Sequence, residues 1–202
     1  MANRAVFLDK DGTLIENVPF NDDPARIRLL PGAAEGIRSL SEAGYRLFVV
    51  TNQPGIARGY FLKQAMAAIR SRLRELIADA GGHLGGFYYC PHEPGAPIAA
   101  YALDCDCRKP RPGLILRAAW EHDLDLHRSF MVGDILDDVE AGRRAGVKTI
   151  LVNHQNETDW ILSPMRLPHH VARDLAEAAS WILSANHRVA NSTLQQTGSR
   201  GP

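Results

Sequence analysis

Apolar residues fall along the chain in two alternating patterns. Short runs rich in β-branched and aromatic residues, at 5–9 (AVFLD), 45–51 (YRLFVVT), 86–90 (GFYYC), 129–134 (SFMVGD) and 147–153 (VKTILVN), read as strands. Between them, longer segments with helical spacing predict helices over 33–43, 62–80, 112–122 and 137–145. A further helix is predicted over 174–188, with Leu175, Ala179 and Ile182 on one face. The strands are too apolar to carry a wet face, so both sides must be covered, as in parallel sheets. Alternating strand–helix units with right-handed crossovers predict an α/β protein, a three-layer Rossmann-like sandwich around a central parallel sheet.

Composition narrows this only a little. A chain of 202 residues with 45% hydrophobic residues can bury one sizeable core. One domain is expected over 1–188, followed by a polar, Ser-, Thr-, Gln- and Gly-rich tail over 189–202 that is expected to be disordered. Lys plus Arg and Asp plus Glu both number 23, a balance that offers no long-range attraction to nucleic acid or to an anionic membrane. No run approaches the ~20 apolar residues that span a bilayer, and the opening MANRAVFLDK lacks the long apolar region of a secretory signal. The expectation is a cytoplasmic monomer acting on a small molecule. Any phosphate chemistry has to come from local groups.

In a parallel sheet the ligand crevice lies beyond the carboxyl ends of the strands, and the polar residues sit at those ends. Asp9 and Asp11 follow the first strand, Thr51 and Asn52 end the second, and Gly133 and Asp134 follow the fourth. Asp9 and Asp11, two positions apart on an extended segment, share a face and can reach one pocket. Paired carboxylates suit a division of labour in which one attacks an electrophile and the other shuttles a proton. Gly12 then permits a tight turn, and Thr13 offers a hydroxyl. Neither the interval between Asp11 and Thr51 nor that between Thr51 and Lys109 has room for a large cap domain.

The cysteines form a second constellation. Cys90 and His92 make C-x-H, a loop of twelve residues follows, and Cys105 and Cys107 make C-x-C. Three thiolates and one imidazole are a complete set for a closed tetrahedral Zn²⁺ site, with no position left for water, and every cysteine in the chain is used. The role predicted is structural: the second arm leads directly into Arg108 and Lys109 and would fix both cations over the crevice at the carboxyl ends of the strands.

Asp-Lys-Asp-Gly-Thr-Leu at 9–14 resembles the first motif of the haloacid dehalogenase superfamily of aspartate-nucleophile phosphatases. The other motifs appear in order: Thr51 with Asn52, Lys109 in CRKPRPG, and Asp134 in GDILDD. The resemblance implies that Asp9 attacks phosphorus and that Asp11 serves as acid and then base. It also implies that Mg²⁺ is held by Asp9, the Asp11 backbone carbonyl and Asp134, while Thr51 and Lys109 bind the transferring phosphoryl group. Asp138 matches the supporting acid of that pattern. The zinc loop inside this core is similar to that of the heptose bisphosphate phosphatases and the related histidinol-phosphate phosphatases. Carried over by position, Asn17, Phe20, Asn52, Gln53, Pro54 and Arg108 are expected to contact a small phosphorylated sugar. Arg26, Arg28 and Arg58 are further candidates for its distal part. Two positions depart from the heptose pattern: Ile135 stands where a lysine is common, and Asn17-Val18-Pro19-Phe20 replaces an Asp-His-Gly-Tyr-like segment. The alternatives are another substrate for the same chemistry, such as histidinol phosphate, and a catalytically silent zinc-stabilised module.

Overall fold

The computed structural model describes residues 3–153 and 161–185. Its centre is a six-stranded, all-parallel sheet in the order β3-β2-β1-β4-β5-β6, comprising β1 (Ala5–Leu8), β2 (Arg46–Asn52), β3 (Leu84–Cys90), β4 (Phe130–Gly133), β5 (Lys148–Val152) and β6 (His170–Ala172). The first five strands match the predicted runs. The helices are α1 (Ala33–Glu42), α2 (Ala65–Asp79), α3 (Gly113–His122), α4 (Leu136–Ala145) and α5, whose described part spans 175–185.

Alternation along the strands builds two cores. Val6 and Leu8 of β1, with Leu47 and Val49 of β2, face one side, where Ile37 and Leu40 of α1, Ile69 and Leu73 of α2, and Leu175 and Ile182 of α5 cover them. Ala5, Phe7, Phe48 and Val50 face the other side against Leu114, Ile115 and Ala118 of α3 and Ala141 of α4. Helices on both faces of the sheet give the three layers expected. Among the described residues no helix is long and apolar enough to cross a membrane, and no insertion is large enough to form a cap.

Two boundaries shift by two residues or more from the pattern-based expectation, and one strand is additional to it. β3 begins at Leu84 rather than 86, because pairing with β2 (Leu47 with Leu84, Phe48 with Gly86) carries two glycines of low strand propensity into the ladder across an irregularity. α2 begins at Ala65 rather than 62, and Leu62 is left 76% exposed in the preceding turn. β6, three residues long and buried only at Ala172, is too short for period-two alternation to reveal. The predicted tail 189–202 and the end of the last helix lie outside the described residues.

The strand order reverses direction between β1 and β4, and in such sheets the crevice opens at this point. Asp9 follows β1 and Asp134 follows β4, with Thr51 and Asn52 ending β2 and Cys90 ending β3 on the same edge.

Candidate active site

Local structure at the end of β1 turns the chain sharply. Gly12 adopts a left-handed φ of 81°, and its N–H donates to Ile15 O (2.9 Å), while Leu14 N and Ile15 N both donate to Lys10 O. The turn leaves Asp9 and Asp11 at the crevice and buries the intervening Lys10, whose Nζ donates to Asp11 Oδ1 at 2.6 Å.

Lys109 enters from the segment just after Cys107. Its buried Nζ donates to Asp9 Oδ1 (2.5 Å), Asp138 Oδ1 (2.5 Å) and Val50 O (3.1 Å). Burial pulls the ammonium pKa down, but the Asp138 and Asp9 carboxylates more than offset this and hold it above the usual lysine value. Asp138 sits in the first turn of α4, where its other oxygen accepts from Ile135 N at 3.3 Å. Gly133 makes room for it, since a Cβ there would lie 2.2 Å from the Asp138 side chain. Asp134 Oδ1 accepts from the buried Thr13 hydroxyl at 3.1 Å.

Three carboxylates crowd together here. Asp9, Asp134 and Asp138 are all buried, with ligand oxygens within 4.8 Å of one another. Lys109 is the cation paired with two of them. Burial pushes the Asp138 carboxyl up despite Lys109, and Asp9 and Asp134 add to the rise. Crowded, desolvated carboxylates of this kind are relieved by a hard cation with oxygen ligands, so the donor set fits a divalent ion such as Mg²⁺. Burial also raises Asp11 above the ordinary aspartate value; Lys10 and Gln53 pull it back, and Asp9 raises it further.

Each predicted site residue can now be placed. Asp9, Asp11, Asn17, Thr51, Asn52, Lys109, Asp134 and Ile135 line one cavity of about 190 Å³. Asn17, Phe20, Asn52, Gln53 and Pro54 line a second of about 290 Å³, which shares Asp11, Asn17 and Asn52 with the first. Three of the expected sugar contacts have internal partners. Asn52 donates through Nδ2 to Lys109 O and accepts from Lys109 N, both at 3.0 Å, clamping the lysine backbone. Gln53 Nε2 donates to Asp11 Oδ2 (3.0 Å) and to Thr51 Oγ1 (3.1 Å). Arg108 Nη1 donates to His92 O (3.1 Å). Of the further arginines, Arg28 bonds to Ala25 O and Ile27 O within its own loop. Lys10 was not singled out as a site residue; its position between two aspartates was the available signal.

The cysteine cluster forms as expected. Cys90, Cys105 and Cys107 are free thiols whose sulfurs lie 3.1–3.5 Å apart, too far for a disulfide. His92 Nδ1 lies 3.3 Å from Cys107 Sγ and 3.7 Å from Cys90 Sγ. Hydrogen bonding shared with Cys90 holds the Cys107 thiol down to about 5, and the same sharing together with burial pushes Cys90 up. Such thiolate character within one ion's reach fits a soft-ligand metal site.

Comparison with known proteins first sets the class: a family model described as HAD-hydrolase-like matches residues 106–178. The D-glycero-D-manno-heptose-1,7-bisphosphate 7-phosphatase of Thermosynechococcus vestitus is 39% identical over 189 residues, spanning 90% of this chain and 96% of its own. The β-anomer-named 7-phosphatase of Pasteurella multocida is 42% identical over 150 residues, spanning 74% of this chain and 81% of its own. Among solved structures, the D,D-heptose 1,7-bisphosphate phosphatase of B. bronchiseptica, complexed with magnesium and phosphate, matches with a TM-score of 0.75 at 31% identity, covering 90% of this chain and 99% of its own. A HAD-like phosphatase from Mesorhizobium loti matches with a TM-score of 0.77 at 34% identity, covering 90% of this chain and 86% of its own. The chain belongs to the heptose-1,7-bisphosphate 7-phosphatase family of HAD-like hydrolases and is a phosphoric monoester hydrolase.

Proposed function

We propose that the chain removes the 7-phosphate of D-glycero-D-manno-heptose 1,7-bisphosphate in a Mg²⁺-dependent reaction. The observation that carries the chemistry is the contact of buried Lys109 with Asp9 and Asp138, across a shared cavity from Asp11. Relatives that this chain matches over most of their length carry the substrate.

Asp9 is the nucleophile. Its carboxylate oxygen bonds to phosphorus as the ester P–O bond to the sugar breaks. Lys109 pairs with Asp9 and fixes its direction. Asp11, with its carboxyl raised by burial, gives its proton to the departing sugar oxygen. The resulting Asp11 carboxylate then takes a proton from water, the hydroxide attacks phosphorus, and the bond to Asp9 breaks to release phosphate. Gln53 holds Asp11 in place throughout, while the Thr51 hydroxyl and the Lys109 ammonium supply donors to the phosphoryl oxygens. Asp9, Asp134 and the Asp11 backbone carbonyl are the proposed Mg²⁺ ligands, with Asp138 supporting them through Lys109. When bound, the ion neutralises phosphoryl charge.

Cys90, His92, Cys105 and Cys107 hold a structural Zn²⁺ that fixes the approach of Arg108 and Lys109. Asn17, Phe20 and Pro54, which line the second cavity, face the sugar, and Arg108, one residue before Lys109, is assigned to its uncleaved end. The proposed setting is the cytoplasm, with the chain working as a monomer.

The test is phosphate release, with Mg²⁺, from both anomers of heptose 1,7-bisphosphate, histidinol phosphate and simple sugar phosphates, with Asp9→Asn as the blank. Preference for a heptose bisphosphate supports the reading. Preference for histidinol phosphate would replace the substrate and leave the chemistry in place.

A further inference from the structure

Outside the acid cluster, three loops meet at one guanidinium. Arg58, in the segment after β2, contacts Glu93 side-on: Nε is 2.5 Å from Oε2, and Nη2 is 2.5 Å from Oε1. The same guanidinium lies over the Phe20 ring, 5.3 Å from its centroid, and Phe20 packs edge-on against Tyr60 at 4.6 Å. Phe20 lines the cavity next to the acid pair. Glu93 directly follows His92 of the cysteine cluster. Its N–H donates to Tyr101 O (3.0 Å), and Ile98 N donates to Ala57 O (3.1 Å), which ties the two loops a second time. Arg108 reaches the same carboxylate, with Nη2 3.7 Å from Glu93 Oε1. One carboxylate therefore stands between two arginines, one on the loop after β2 and one adjoining Lys109.

An isolated exposed ion pair contributes little to stability, so folding alone does not account for this arrangement. Its chemical consequence is more informative. Two guanidinium groups repel unless an anion lies between them, and Glu93 lets both be held together, with Arg58 over the Phe20 ring that lines the second cavity. The side-on contact uses Nε–H and one Nη2–H of Arg58, which leaves the remaining Nη hydrogens for another anion. The triplet keeps a net positive charge after Glu93 is counted.

We propose that Glu93 is a positioning residue that holds Arg58 beside Arg108 as a platform for the second, uncleaved phosphate of the substrate. The zinc loop thereby selects the substrate without touching the reacting atoms. This inference rests on the bisphosphatase reading above and deepens it.

The experiment measures steady-state kinetics of the wild type, Glu93→Gln, Glu93→Asp and Arg58→Gln on heptose 1,7-bisphosphate and on heptose 7-phosphate, with zinc content and melting temperature recorded for each. Glu93→Gln is expected to raise KM for the bisphosphate about tenfold while kcat stays within about twofold, the pattern of a lost binding contact. KM for the 7-phosphate, zinc content and melting temperature stay unchanged. Glu93→Asp, which keeps the charge, recovers part of the loss. Arg58→Gln acts in the same direction, and the Glu93→Gln/Arg58→Gln double variant loses less than the two single losses combined. An equal loss on both substrates, or falling zinc content, would make Glu93 a structural residue only and overturn the proposal. Full bisphosphate preference in Glu93→Gln would overturn the platform alone. A wild type that does not prefer the bisphosphate to the 7-phosphate would overturn the bisphosphatase reading and the platform with it.

Discussion

The acid cluster and the cysteine cluster both gather like groups into one ion's reach, yet they are built for opposite ends. The first collects oxygens at strand ends, one lysine covers part of the charge, and a cavity of about 190 Å³ opens onto it. The second collects three sulfurs and a nitrogen, enough to close a tetrahedral shell, in a loop with little regular structure. Open oxygen sites leave room for a reacting phosphate; closed sulfur sites spend every position on holding the chain. Removing a group should therefore cost turnover at one cluster and order at the other.

The largest expected effect breaks the acid cluster. Asp9→Asn should lower kcat by at least about 10⁴-fold, on the scale of nucleophile loss in other enzymes, with the melting temperature preserved. Retained turnover would remove Asp9 from the mechanism. Lys109→Met should show that the same cluster also bears on stability, because it strands Asp9 and Asp138 in the interior. A loss of about 3–5 kcal/mol in urea denaturation is expected without added Mg²⁺. A near-zero change would mean that the acids are protonated there.

Cys107→Ala should do the reverse. Zinc content falls, and the melting temperature drops by about 4–8 °C, the shift that roughly 2 kcal/mol produces in a chain of this size. Withholding Mg²⁺ abolishes turnover and leaves the zinc content unchanged. Unaltered metal content in Cys107→Ala would sink the zinc assignment.

The smallest effect lies at Gln53. Its hydrogen bond favours the ionised form of Asp11, so Gln53→Leu raises the Asp11 pKa further. The acid then stays protonated to higher pH, and the alkaline limb of kcat/KM moves upward. Movement in the opposite direction would exclude Asp11 as the proton donor.

Much of the two clusters was legible because strand ends and short spacings place them. Asp9 and Asp11 sit two apart at the end of an apolar run, and C-x-H with C-x-C can be read directly. What spacing does not reveal is who holds whom. Asn52 and Gln53 look like substrate contacts beside Thr51, yet their amides clamp Lys109 and Asp11. Lys10 lies between two aspartates in the sequence, and its burial against Asp11 follows from the turn at Gly12, which folds it inward. Asp138 caps α4 and receives Lys109 at once, a double role that depends on the approach of a segment 29 residues away. β6 and the Arg58–Glu93 contact depend on tertiary packing, which a linear pattern does not encode.

The strand order has a further consequence for how the molecule comes into being. Lys109 meets Asp9 across 100 residues, and Thr13 meets Asp134 across 121. A chain still emerging from the ribosome carries Asp9 long before it carries the lysine that neutralises it or the strand that closes the crevice. Contacts of such long range form late and slowly, after loop-closure entropy has been overcome. Phosphatase activity in this chain is therefore a late reporter of folding: it cannot precede the pairing of β1 with β4, and a fragment ending before Asp134 would fold, at most, into a half-sheet that has no turnover.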